Sequence, residues 1–163
     1  MIFISKSGYL KYKNLKFKCA LGKAGVGNKK TEGDNITPRG TYKVIKIYYR
    51  KDRIKKLISQ IKPIQIKKNM GWCDDPKCKK YNQLIKLPNQ QGHEKLYRKD
   101  SIFDLILVLN YNMCPIVRYK GSAIFLHIMK HKYKKTKGCI ALKKTDLLKL
   151  IEKINKNTKI KIT

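Results

Sequence analysis

Acidic residues are scarce in this sequence, with 10 Asp and Glu against 40 Lys and Arg and a formal net charge of +30 at pH 7. Such a charge attracts anionic polymers of any kind without selecting among them. Arginine, the residue on which base-edge and phosphate recognition most depends, is scarce too. We therefore expect no nucleic-acid partner, and a basic polymer-binding protein without turnover stays the alternative from another class. The five arginines are Arg39, Arg50, Arg53, Arg98 and Arg118.

Long apolar runs are absent as well. The apolar start at residues 1–4 soon reaches Lys6, which is too short for a signal-peptide core or a bilayer span. We expect a soluble chain with no transmembrane segment, so work outside the cytoplasm would need an export segment or another route. No repeat or Gly/Ser linker divides the chain, and 42% hydrophobic residues suffice for one core. This predicts a single domain over residues 1–163, of unknown oligomeric state.

The five cysteines are odd in number, which excludes their complete pairing in disulfides and leaves at least one free thiol. Cys73, Cys78 and His93 resemble part of a zinc site. A structural site needs a fourth ligand and usually a closer first pair, so we expect two loop cysteines there. The sequence predicts no metal and no cofactor.

Strand signals dominate the chain, which predicts a mainly β fold. One helix is expected late in the sequence, capped by Thr145 and with an apolar stripe of leucine and isoleucine. Helical spacing at residues 54–61 is cut short by Pro63, and the polar stretch 71–92 is typical of a long surface loop. The expected strands cover residues 2–4, 8–13, 15–21, 41–49, 102–109, 122–128 and 158–162.

Two apolar runs each end in a reactive side chain, His127 in one and Cys139 in the other. A thiol becomes a nucleophile as thiolate, and a neighbouring imidazole can take its proton and stabilise the anion as an ion pair. Gly138 would let a carbonyl oxygen approach backbone N–H donors. The alternative is a buried core cysteine beside a tight turn. The flanking residues favour the catalytic interpretation.

Seven segments carry a resemblance that covers nearly the whole chain. In order, they are Gly22–Gly25, Thr31–Asp34, Thr37–Tyr42, Gly71–Pro76, Tyr81–Asn82, Gly121–His127 and Thr136–Cys139. With these segments the sequence resembles the L,D-transpeptidase catalytic domain family, often called YkuD-like. The resemblance implies a β-sandwich or barrel-like domain and acyl transfer on peptidoglycan stem peptides at the cell envelope.

The resemblance also implies roles for individual residues. Cys139 would be the nucleophile, His127 the base and later the acid, and Gly138 with the Cys139 amide the oxyanion site. The family commonly orients its histidine through a backbone carbonyl, for which Ile128 is the positional candidate. Substrate binding is expected from Trp72, Asp74, Asp75, Tyr81, Asn82, Thr136 and Lys137.

Some positions leave alternatives open. Lys137 stands where the common Ser-His-Gly-Cys motif has histidine, and only eight residues separate His127 from Thr136. Hydrolysis by an L,D-carboxypeptidase or another peptidoglycan hydrolase is therefore an alternative to transfer. His131 is the competing base, and His93 with Glu94 is a weaker acid/base pair. The aromatic and carboxylate residues of 72–75 could bind a stem's side chain and amine, or only pin a loop.

Overall fold

The computed structural model describes residues 1–130 and 132–163. Over these residues the chain forms fourteen strands and one helix, which confirms the mainly β prediction. The elements are β1 (Ile2–Ser5), β2 (Tyr9–Tyr12), β3 (Leu15–Lys18), β4 (Val26–Gly27), β5 (Thr37–Pro38), β6 (Gly40–Tyr49), β7 (Pro63–Gln65), β8 (Met70–Cys73), β9 (Leu84–Lys86), β10 (His93–Lys95), β11 (Leu105–Leu109), β12 (Phe125–Ile128), β13 (Ile140–Leu142), α1 (Lys144–Lys153) and β14 (Lys159–Ile162).

The main sheet curves into a barrel-like shape. Its strands follow the order β13-β12-β11-β6-β14-β1-β2-β3, with β7 paired to the long β6. Just after β3, Ala20 exchanges backbone hydrogen bonds with Ala141 of β13, at 2.8 and 2.9 Å. These two bonds join the far ends of the sheet, as the resemblance implied. They also fix the start of β13, the strand that Cys139 precedes.

Strand β11 is buried on both faces, as its continuous apolar sequence predicts. Successive side chains point to opposite sides, so the strand separates two apolar clusters. Leu107 packs in the larger cluster with residues of β1, β14 and α1. Ile106 packs in a smaller one with Trp72 and Phe125. The face with the smaller cluster carries the candidate site.

The stretch 71–92, predicted as one long loop, is interrupted by strands. β8 lies between β9 and β10 in a separate three-stranded sheet. Local sequence missed these strands because each has only three or four residues and depends on partners elsewhere in the chain. The turn between β8 and β9 keeps the loop character that was expected.

One helix prediction needs correction. Helix α1 begins at Lys144 behind an N-cap at Lys143 that has no side-chain hydrogen bond, so Thr145 lies in the first turn and is not the cap. The stretch 54–61, whose helical spacing is cut short by Pro63, contains no helix. The one helix found in the described ranges is too short and too polar to cross a lipid bilayer.

Candidate active site

The pairing of β12 with β13 places Cys139 and His127 on one face of the sheet. Leu126 lies beside Ile140 in this parallel pair, and the Phe125 amide donates to Cys139 Sγ at 3.5 Å. Leu126 and Ile140 point into the larger core cluster, so Phe125, Cys139 and His127 share the opposite face. Cys139 and His127 both line one cavity of about 330 Å³. We call it the histidine cavity.

The His127 ring is held in one orientation. It is only 8% exposed and packs edge-on against Phe103, with ring centroids 5.6 Å apart. Its Nδ1 lies 2.9 Å from the Ile128 carbonyl oxygen, the contact expected from the sequence. A carbonyl can only accept, so Nδ1 carries the proton and Nε2 is left as the basic nitrogen. Burial lowers the pKa of His127 to about 4, which keeps the ring neutral near pH 7.

The Cys139 thiol is partly exposed and makes a hydrogen bond of its own. Sγ donates to the Ala123 carbonyl oxygen at 3.0 Å. Burial raises the pKa of Cys139 to about 12, because a thiolate would lose hydration there. Within the described residues no hydrogen bond joins this sulfur to His127. The resting site therefore holds a neutral thiol and a neutral imidazole, and not the ion pair expected from the sequence.

The turn before Cys139 requires glycine at position 138. Gly138 has φ +135°, and a Cβ placed there would lie 2.9 Å from the Ile36 carbonyl oxygen. The Gly138 carbonyl accepts from Thr37 Oγ1 at 2.9 Å, and its amide donates to Thr136 Oγ1 at 3.1 Å. The Cys139 amide makes no hydrogen bond to another described residue. Of the two amides predicted for an oxyanion, that of Cys139 is the free one.

Trp72 and Asn82, predicted to bind substrate, lie beneath the site. Trp72 is 3% exposed and packs edge-on against Phe125, with centroids 5.3 Å apart. The Asn82 side-chain oxygen accepts from Trp72 Nε1 at 3.1 Å and from the Ala123 amide at 3.0 Å. Because Ala123 in turn accepts from the Cys139 thiol, these two residues support the position of Cys139 and do not form a wall for a ligand.

Tyr81 is also buried, and its phenol oxygen joins two segments. It donates to Glu32 and accepts from the Gly121 amide at 2.9 Å. Burial, the largest cause, and the hydrogen bond to Glu32 raise the pKa of Tyr81. Sequence analysis did not single out Glu32. Glu32 lies in the Thr31–Asp34 segment of a chain that is poor in acidic residues, and this could have marked it as a residue with a role at the site.

The remaining predicted substrate residues divide between two cavities that meet at Cys139. Asp74 and Lys137 line a second cavity of about 330 Å³, which we call the acidic cavity. Thr136 and Lys137 line the histidine cavity. Asp75 belongs to neither, because its carboxylate accepts from the Lys77 amide at 2.9 Å and stabilises a turn.

His93 and Glu94 do not act as a pair. They are adjacent in β10, so their side chains point to opposite sides. His93 lines a different cavity with Lys95, and its Nδ1 lies 2.6 Å from the Gln91 carbonyl oxygen. Glu94 lines both cavities at Cys139. His131, the competing base in the sequence, lies outside the described residues.

The site combines a partly buried thiol, an oriented imidazole and a free backbone amide on one edge of a barrel-like sheet. A comparison with curated proteins found no match. The model of one protein family, YkuD, described as L,D-transpeptidase catalytic domain, matches residues 1–162. That family acts on peptidoglycan, and its match covers essentially the whole chain. The chain belongs to the L,D-transpeptidase catalytic domain family.

Proposed function

We propose that this chain is an L,D-transpeptidase of the cell envelope, with Cys139 carrying the acyl group of a peptidoglycan stem peptide and His127 moving the protons. The observation that carries the proposal is the position of both side chains on the same face of the β12–β13 pair, where they line one cavity. The oriented Nε2 of His127 supports the role of general base.

The first half-reaction forms a thioester. His127 Nε2 takes the Cys139 proton while the sulfur bonds to the carbonyl carbon of the diamino acid's L-centre. The carbonyl oxygen becomes an oxyanion, for which the Cys139 amide is the nearest free donor in the sequence. When the C–N bond breaks, His127 returns its proton to the amine of the departing D-amino acid.

Because Cys139 and His127 are both neutral at rest, the proton has to move during this step. Because the pKa of the thiol is raised to about 12 and that of the imidazole is lowered to about 4, little thiolate exists before the substrate arrives. Proton transfer must then accompany attack on the carbonyl carbon. A thiol held neutral is also less prone to oxidation than a stored thiolate.

The second half-reaction decides between transfer and hydrolysis. In transfer, the amine of a second stem attacks the thioester and gives a proton to His127, which returns it to the departing sulfur. Water replaces the amine in a hydrolase, and the acyl group is released as the free acid. Lys137 replaces the histidine at the second position of the Ser-His-Gly-Cys motif, so the motif does not decide between transfer and hydrolysis. Product analysis separates the two, because cross-linked dimers appear only with transfer.

The test is acylation of purified protein by tetrapeptide stems that end in a D-amino acid. We expect an adduct on Cys139 in intact-mass measurements, located by peptide mapping, and no adduct on Cys139→Ala. Cys114→Ala removes another, exposed thiol and is the matched control that keeps the adduct. Replacement of His127 by Asn should slow acylation by about 10²–10⁴-fold, the usual effect of losing a general base.

Absence of any adduct on folded wild-type protein across stems with different diamino acids would overturn the proposal. Unchanged acylation of His127→Asn would overturn the role of this residue and direct attention to His131. Binding of an anionic polymer that survives Cys139→Ala, without any adduct on wild-type protein, would support the non-enzymatic alternative.

A further inference from the structure

Two cysteines that the proposed reaction does not use lie close together near the turn between β8 and β9. Cys73 is the last residue of β8, and Cys78 follows it in the turn. Cys73 has no exposed surface, whereas Cys78 is partly exposed. A reagent in solution therefore meets the Cys78 thiol first.

Hydrogen bonds within the turn bring the two side chains to the same place. Cys73 Sγ lies 3.9 Å from the Asp75 carbonyl oxygen, and the Cys78 amide donates to that same oxygen at 3.0 Å. The Cys73 carbonyl accepts from the Asn82 amide at 2.9 Å. The Cys78 carbonyl accepts from the Tyr81 amide at 3.1 Å. The turn thus folds Cys78 back onto the end of β8.

The two thiols also interact directly. Burial first, and then the hydrogen bond with the Cys78 thiol, raise the pKa of Cys73 to about 12. Among the described residues, the raised pKa values of Cys19 and Cys139 show no influence of another thiol. The contact between thiols is therefore specific to this turn.

The pair lacks the further ligands that a metal ion needs. Within the described ranges, no group of three His, Cys, Asp or Glu side chains is close enough to hold one metal ion. His93 lies beside Cys73 in the pairing of β10 with β8, but its Nδ1 is 2.6 Å from the Gln91 carbonyl oxygen. Two thiols in contact without a third ligand favour a bond between the two sulfurs.

We propose that Cys73 and Cys78 form a disulfide bond that closes the start of the β8–β9 turn, with a small-molecule disulfide as the oxidant. Cys78 loses its proton and attacks one sulfur of the oxidant, which releases one small thiol and leaves a mixed disulfide on Cys78. Cys73 then loses its proton, attacks the Cys78 sulfur and displaces the second small thiol. Two protein thiols are oxidised to one disulfide, and the oxidant is reduced to two thiols that take up the two protons.

The surroundings of Cys78 suit the attacking sulfur. The Lys80 amide donates to Cys78 Sγ at 3.3 Å, and Lys77 and Lys79 are its neighbours in the chain. A hydrogen-bond donor and cationic residues stabilise the negative charge that a sulfur carries when it attacks a disulfide. Cys73 is covered, so it attacks only in the second step, when its target is already beside it.

The bond would strengthen the segment that supports Cys139. The same turn leads to Asn82, whose side-chain oxygen accepts from the Ala123 amide beneath the Cys139 thiol. A disulfide restricts the unfolded chain and thereby stabilises the folded turn. The inference concerns the two thiols alone and does not depend on acyl transfer. An oxidising compartment, such as the cell envelope proposed above, would preserve the bond.

Peptide mapping after oxidation of the folded chain tests the inference. Reduced protein is incubated with glutathione disulfide, denatured in an alkylating reagent and digested with trypsin without reduction. Trypsin cuts after Lys77 and so separates Cys73 from Cys78. We expect peptide 69–77 to stay joined to peptide 78–79 until a reducing agent is added.

Two variants and a stability measurement complete the test. Cys78→Ala should give no joined peptides, whereas Cys114→Ala, which removes an exposed thiol elsewhere, is the matched control that keeps them. Oxidation should raise the midpoint of thermal unfolding by about 4–8 °C in wild-type protein and in Cys114→Ala, the effect of closing a short loop in a domain of this size. The midpoint of Cys78→Ala should not change.

Three results would overturn the inference. The first is recovery of the two peptides separately, with both cysteines alkylated. The second is a glutathione adduct that remains on Cys78 while Cys73 is alkylated. The third is a bond from Cys73 to a different cysteine. Joined peptides without any rise in the unfolding midpoint would overturn the stabilising role of the bond.

Discussion

At the scale of single residues, the site depends on groups kept neutral by burial. His127 and Cys139 sit on the face of β12–β13 that packs against the smaller core cluster, where charge is poorly hydrated. Their pKa values move in opposite directions, to about 4 and about 12, so that neither is charged near pH 7. In the proposed mechanism, a proton passes between them when the substrate makes the transfer favourable.

Burial of His127 should make the stability of the fold depend on pH. Between pH 6.5 and 4 the unfolded chain binds a proton at this residue, whereas the folded chain does not. The free energy of unfolding should therefore fall as pH drops through this range, by roughly 3 kcal/mol from this group. Urea unfolding at pH 7 and pH 4 should show a smaller loss for His127→Asn, which keeps a donor for the Ile128 carbonyl. Equal losses in both proteins would contradict the assignment.

At the scale of elements, the site is formed by loops that one buried side chain, Asn82, holds together. Asn82, with φ +57°, connects the turn between β8 and β9 to Ala123, and Ala123 accepts from the Cys139 thiol. The Asn82 amide group also donates to the carbonyls of Tyr111 and Asn112. One buried side chain thus joins three loops, which explains why a predicted ligand residue is part of the support.

The turn at Gly138 gives a test of how the elements fix the position of Cys139. Gly138→Ala places a Cβ 2.9 Å from the Ile36 carbonyl oxygen in a backbone region that disfavours side chains. We expect a loss of about 2–4 kcal/mol in unfolding free energy and a strong loss of acylation. Gly25→Ala is the control, because it has φ +82° with nothing within 4 Å of the added atom.

The comparison of these two variants separates the cost of backbone strain from the cost of the steric clash with the Ile36 carbonyl oxygen. Gly25→Ala should cost about 1–2 kcal/mol, the usual penalty of left-handed backbone, and should keep acylation. If Gly138→Ala were no more harmful than Gly25→Ala, the close approach to Ile36 would have no consequence for the site.

At the scale of the whole molecule, the net charge of +30 and the acidic cavity act over different distances. The excess of lysine produces a long-range attraction for anionic polymers, whereas the carboxylates act only inside the cleft. The field of the lysines therefore acts on any anionic polymer that approaches, and the carboxylates act only on a group that enters the cleft.

Polyanion binding should depend on the net charge and be independent of Cys139. We expect wild-type protein and Cys139→Ala to bind a single-stranded oligonucleotide equally, with affinity that falls about 10-fold or more between 50 and 200 mM salt. Fluorescence anisotropy titrations at several salt concentrations measure this. Affinity that is insensitive to salt, or lost in Cys139→Ala, would contradict a purely electrostatic origin.

Much of the architecture could be predicted because it depends on local patterns. The alternating run of β6 and the apolar run of β11 indicate their strands without further information, and the leucines of α1 indicate its buried face. The strands β8 and β9 could not be predicted, since each is short and is stabilised by a partner distant in sequence. The same applies to the roles of Trp72 and Asn82, whose residue types suit a ligand site and a buried network equally well.

The sequence by itself determined the β-rich class and the strong positive charge and predicted the two reactive side chains, because composition, periodicity and motif spacing are properties of the chain alone. Only the tertiary structure decided that both reactive groups are neutral, that Trp72, Tyr81 and Asn82 are supports, and that Glu32, Asp74 and Glu94 converge beside Cys139. Burial and proximity cause all three results, and both arise only when segments far apart in the sequence pack together.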